Sequence, residues 1–285
     1  RSSDDDQFDL FSAPRSEARQ VRHAGVAAMD PSALTDDDLL RAVPASGLAG
    51  GPVLMTEIGR RRLANGVPVL ETHCRRFAGF GLDQPVPEQR AAVLALGAIR
   101  GRAAGDAVRR LIERREIVGP TLTTAVGVAA ALGVRLSAPI VLEFLDSPDA
   151  EMHAQACRCA GPDAAVLSRL EDLLEDLHPD VQTAAAITLG RMGKASARPV
   201  LLRLLRDEAS ADVLDAIAAV ADEDCVVLMG RVMRENPELA EAARQALEDV
   251  EHPLAARLLR GHQAERSRGL RAAGGATDGE SRCRL

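Results

Sequence analysis

From Pro52 to Arg260 the apolar residues recur three and four positions apart, the spacing that places them on one face of a helix. Four stretches of this region open on proline and can be laid beneath one another. They are PEQRAAVLALGAIRG from Pro87, PTLTTAVGVAAALGV from Pro120, PDAEMHAQACRCAGP from Pro148 and PDVQTAAAITLGRMG from Pro179. Each predicts an Ala-rich helix that stops at a glycine, because proline suits the first helical turn and glycine the C-terminal stop. A second apolar helix follows each one, over Asp106 to Arg115, Ser137 to Leu145, Asp163 to Leu177 and Ala195 to Leu205. The openings are 33, 28 and 31 residues apart. A two-helix unit repeating at that period marks a solenoid, since one pair cannot bury its own apolar face and neighbours must stack. The predicted fold class is all-α: an α-solenoid of stacked antiparallel helix pairs.

The flanks break the pattern. Residues 1–28 are acidic and polar with few apolar positions and predict a disordered tail. Residues 29–51 predict a capping segment, in which Thr35 ahead of Asp36, Asp37 and Asp38 has the form of an N-cap with acids in the first turn. The array itself is expected over 52–260, and a coreless Gly-, Ser- and Arg-rich tail over 261–285. Met29 offers an alternative start for the chain.

Composition agrees with helices. Hydrophobic residues make up 46% of the chain but aromatics only 2%, with no Trp or Tyr. Ala and Leu are strong helix formers, whereas the aromatic side chains that favour sheets are scarce. The longest apolar run, Val126 to Val134, is far short of the ~18 residues that span a membrane, and the acidic N-terminus is unlike a signal peptide. Five cysteines, an odd number in a long chain, predict reduced thiols and a cytoplasmic location.

Two copies carry a family resemblance. Pro179 to Asp207 and Pro87 to Glu113 resemble the short bacterial kind of HEAT repeat in their opening proline and in the Leu-Gly pairs at 189/190 and 96/97. They also share a second helix ending in paired Leu or Ile. The family's arginine near the middle of the first helix has a counterpart only in Arg90. The resemblance extends over about 200 residues and implies a stack of helical pairs that holds other proteins. Some HEAT-like proteins are enzymes. Deoxyhypusine hydroxylases bind iron through His-Glu pairs, and none of the six histidines here precedes a glutamate. HEAT-like alkylpurine DNA glycosylases use aromatics and a basic face, which this acidic chain without Trp or Tyr does not match. Phycobilin lyases share the repeat type, and no residue here decides that relation.

Charge is sorted along the chain. The total is -7, from 35 basic and 42 acidic groups. Residues 52–142 hold 13 arginines against 7 acids, and residues 143–251 hold 10 basic groups against 23 acids. If stacked second helices line the concave face, Arg109, Arg110, Arg114 and Arg115 are the candidate partner contacts. The plainer reading is that such groups solvate an outer surface.

Candidate chemistry is sparse. His153 and Cys157 share a helix face, yet structural zinc wants four ligands, and neither this pair nor His73-Cys74 has the others in sequence. Glu171 and Glu175 lie on one face, opposite an expected buried stripe of Leu170, Leu173, Leu174 and Leu177. No phosphate loop or activated nucleophile is present in the sequence. We therefore expect no catalytic residue, no cofactor and no metal. The sharpest motif is in the N-terminal tail, where Gln7-Phe8-Asp9-Leu10-Phe11 resembles the bacterial sliding-clamp-binding pentapeptide. In that resemblance Gln7 anchors by hydrogen bonds while Leu10 and Phe11 fill an apolar pocket. The expected function is a non-enzymatic adaptor for protein partners, with clamp tethering and a HEAT-type enzyme as alternatives; nucleic acid is a disfavoured partner.

Overall fold

The structure is a computed structural model and describes residues 30–47 and 50–275. Among the described residues it is wholly helical, without a strand. A single 3-10 turn, Pro31–Ala33, leads into α1 (Asp36–Ala45), α2 (Gly51–Arg61) and α3 (Val67–Arg75). The four proline-led copies then become α4 (Pro87–Ile99) with α5 (Gly101–Glu113), and α6 (Pro120–Ala131) with α7 (Ala138–Leu145). They continue as α8 (Ala150–Arg158) with α9 (Ala164–Asp172), and α10 (Pro179–Arg191) with α11 (Arg198–Asp207). The stack ends in α12 (Ala211–Ala218), α13 (Glu223–Glu235), α14 (Ala240–Glu248) and α15 (Pro253–Gly275).

Local chemistry sets these limits. Pro87, Pro120 and Pro179 each begin their helix, where a missing N–H costs nothing. Pro148 instead precedes Asp149, whose carboxylate accepts from the Glu151 N–H and caps α8. Thr35 caps α1 as anticipated, accepting from the Asp38 N–H at 3.2 Å. Gly133 and Gly193 close α6 and α10 with φ of 67° and 72°, a left-handed turn that favours glycine.

Three expectations need correction. The helix from Asp163 stops at Asp172 and tightens into a 3-10 turn over Leu173–Glu175, so Leu177 falls in the connection and is 95% exposed rather than buried. Helix α5 starts at Gly101, five residues before the expected Asp106, because the chain reverses sharply at Arg100 (φ 62°). Helix α15 runs on past Gly261, where the array was expected to end, as far as Gly275. The expected N-terminal tail of residues 1–28 lies outside the described residues.

The helices form two layers. Even-numbered helices pack side by side in one unbroken row from α2 to α14, and the odd-numbered helices form the other row. Between the layers runs one continuous apolar core from Leu39 to Ala255, including the fully buried Met55, Leu96, Leu145, Leu189 and Leu201. The even row is tighter because its facing residues are small. A side-chain carbon on Gly59 would lie 2.9 Å from the Ala95 Cα, and one on Gly190 would lie 2.8 Å from the Ala216 carbonyl oxygen. In the odd row contact thins between α5 and α7 and between α9 and α11. The row of first helices is therefore the more closely packed of the two.

Candidate protein-binding face

The four arginines singled out in the sequence sit on α5 and just beyond it, on the looser row. Carboxylates engage three of them. Arg110 forms a two-pronged bond with Glu71 of α3, its Nε and Nη2 donating at 2.9 and 2.8 Å. Glu71 also accepts from Arg75 at 2.6 Å, and Arg75 donates on to Glu116 at 3.0 Å. Arg109 pairs with Asp106 on its own helix, and Arg115 reaches Glu143 of α7. Arg114 is exposed and adds to the field that, with the Arg110 hydrogen bonds leading, holds the Glu71 carboxyl below its ordinary range. Arg110 and Arg115 thus staple α5 to α3 and to α7, whereas Arg109 pairs within α5. Residues Gln7, Phe8, Asp9, Leu10 and Phe11 lie outside the described residues.

The row of first helices presents a different surface. On α2, Val53, Thr56 and Arg60 face outward at helical spacing, and on α4 Arg90, Leu94 and Ala98 do the same. Val53 is 55% exposed and Leu94 47%. Between the two helices lies a groove of about 470 Å³ lined by Thr56, Gly59, Arg60, Arg90, Leu94 and Ala98, among others. Its lining contains two arginines and no acid. Arg60 donates twice to Glu57 at 2.7 Å, yet its own side chain remains largely exposed. Glu57 is shared with Arg61, and the two arginines together hold its carboxyl at about 2. The face continues on α6 through Thr124, Gly127 and Ala131, none of them charged.

Further along, the same row turns acidic. Arg191 of α10 donates to Asp215 at 2.7 Å and to Asp212 at 2.6 Å, both on α12. Arg244 of α14 is held by Glu241 and Glu248. The charge sorting seen in the sequence thus has a place on the row of first helices, with unpaired Arg90 near one end and carboxylates near the other.

The remaining candidates are structural. Cys74, Cys157, Cys159 and Cys225 are all buried and unpaired. Burial pushes the first three thiols up to about 12 and Cys225 to about 11, which leaves them protonated and unreactive at neutral pH. His73 is buried with both ring nitrogens lacking a hydrogen-bond partner, and burial followed by the nearby Arg76 charge pulls its pKa down. Glu171 and Glu175 are exposed. Among the described residues no cluster of three or more His, Cys, Asp or Glu side chains is arranged around a metal position, and no helix is long and apolar enough to cross a membrane.

Two layers of antiparallel helical pairs sharing one core define an α-solenoid. Residues 138–222, from α7 to the residue before α13, match the family model described as HEAT repeats. No curated protein matches the chain. A solved structure described as the crystal structure of an engineered protein is similar over 77% of this chain and 100% of its own, at 17% identity and a TM-score of 0.39.

Proposed function

We propose that this chain is a non-catalytic, cytoplasmic scaffold that holds a protein partner on the outer face of α2, α4 and α6. The observation that carries this reading is the groove between α2 and α4, where exposed Leu94 lies beside Arg60 and Arg90, with exposed Val53 further along α2. Apolar side chains rimmed by arginine are the usual make-up of binding hot spots. The HEAT-repeat match supports the reading, because stacked helical pairs create extended concave surfaces suited to partners. The buried, unpaired thiols fit a reducing compartment. A photo-crosslinking residue at Leu94 in the full chain, expressed in its host, tests the assignment against the same residue at Leu177. Protein adducts specific to position 94 support it, and identical patterns at both positions would reject this face.

A second reading rests on the Gln7–Phe11 pentapeptide alone, which fits a tether to the sliding clamp. It predicts that a peptide covering Asp4 to Pro14 binds the host clamp and that Leu10→Ala with Phe11→Ala abolishes binding. Equal binding of the two peptides removes this reading.

A further inference from the structure

We infer that the groove between α2 and α4 is the docking site for this chain's own acidic segment, Asp4 to Phe11. The inference rests on the groove of the scaffold reading but requires no external partner.

Three observations converge. The first is where the described chain begins. Arg61 binds the carbonyl oxygens of Pro31, Ser32 and Leu34 at 2.8–3.0 Å, together with Asp36 at 2.9 Å, and so ties the start of the chain onto α2. Asp30, Pro31 and Ser32 accordingly line a depression with Val53, Thr56 and Glu57. Thr56 also lines the α2–α4 groove, so one depression runs on from the other. Asp30 therefore lies in the depression that shares Thr56 with the groove.

The second is chemical fit. The segment carries Asp4, Asp5, Asp6 and Asp9 together with Phe8, Leu10 and Phe11. The groove offers the arginines 60 and 90 and no acid, beside exposed Leu94 and the small residues Ala91 and Ala98. Aspartates meet guanidinium groups while the apolar side chains cover Leu94. The acidic end of the first-helix row, around Asp212 and Asp215, would repel the same segment.

The third is reach. About 18 residues separate Phe11 from Asp30 and span up to ~60 Å when extended, whereas the 13 residues of α4 cover about 20 Å. A tether of this length raises the local concentration of the segment to roughly millimolar, so even weak contacts populate the docked state. An outside partner for the groove then has to displace the segment.

The test uses the full chain with a photo-crosslinking residue replacing Phe8. The expected result is an adduct within one molecule, mapped to peptides of α2 or α4, with a yield that does not change on tenfold dilution. Arg90→Glu combined with Leu94→Asp, both at exposed positions, should lower that yield at least about fivefold, while Leu177→Asp leaves it unchanged. Circular dichroism of the variants verifies that the helices are intact. Adducts between molecules, adducts on other helices, no adduct, or a yield indifferent to the groove changes would each overturn the inference. The scaffold reading has its own readout at position 94, so the two can fail separately.

Discussion

At the scale of single residues, the organising device is a carboxylate shared by two arginines. Glu57 takes Arg60 and Arg61, and Glu71 takes Arg110 and Arg75. The consequence is a pH dependence with a definite sign. Glu57 titrates at about 2 in the folded chain against an ordinary 4.5. A depressed carboxyl contributes stability that is complete above about 4.5 and is lost as pH falls toward about 2. Urea midpoints measured at pH 5 and pH 3 should therefore fall more for the parent chain than for Glu57→Gln. Identical falls would mean that the Arg60 and Arg61 bonds do not persist in solution. This scale was the least legible in the sequence. Arg109, Arg110, Arg114 and Arg115 stood out as a basic run, but the partners of Arg110 and Arg115 lie 39 and 28 residues away, and only the stacking register brings them together. The exposed Leu94 was hidden inside an Ala- and Leu-rich helix whose Val93, Leu96 and Ile99 are buried.

Elements were read far better, because their signals are local. Prolines 87, 120 and 179 fixed three helix starts, and Thr35 with the three aspartates after it marked that of α1. The errors came where tertiary packing decides. The 3-10 turn after Asp172 breaks a leucine periodicity that would otherwise run on to Leu177, and no local residue announces it. Which row packs more closely was illegible for a similar reason, since small residues look alike until the neighbouring helix is present. Gly190 makes this testable. An alanine there meets the Ala216 carbonyl at 2.8 Å and Leu201 Cδ1 at 2.7 Å, so the backbone must move. Gly190→Ala should lose about 1–3 kcal/mol, outweighing the ~1 kcal/mol that alanine gains over glycine within a helix. Gly161→Ala, with nothing within 4 Å, should change stability little. Urea denaturation of the two variants distinguishes them, and equal midpoints would contradict close packing of the first-helix row.

At the scale of the whole molecule, each helical pair touches only its neighbours, so stability accumulates along the stack. Amide hydrogen exchange should be slowest in α4, α6, α8 and α10, which have partners on both sides, and faster toward α1 and α14. Uniform protection along the chain would instead indicate a single cooperative block. The charge gradient also acts at this scale, presenting arginine near one end of the first-helix row and carboxylates near the other. The odd row has a mechanical consequence of its own. A bar with two slots cut in its back flexes at the slots, and here they fall behind α6 and behind α10. Bending of the stack should therefore concentrate at these two places, checked at the first by the Arg115–Glu143 pair, while the closely packed row of first helices stays stiff.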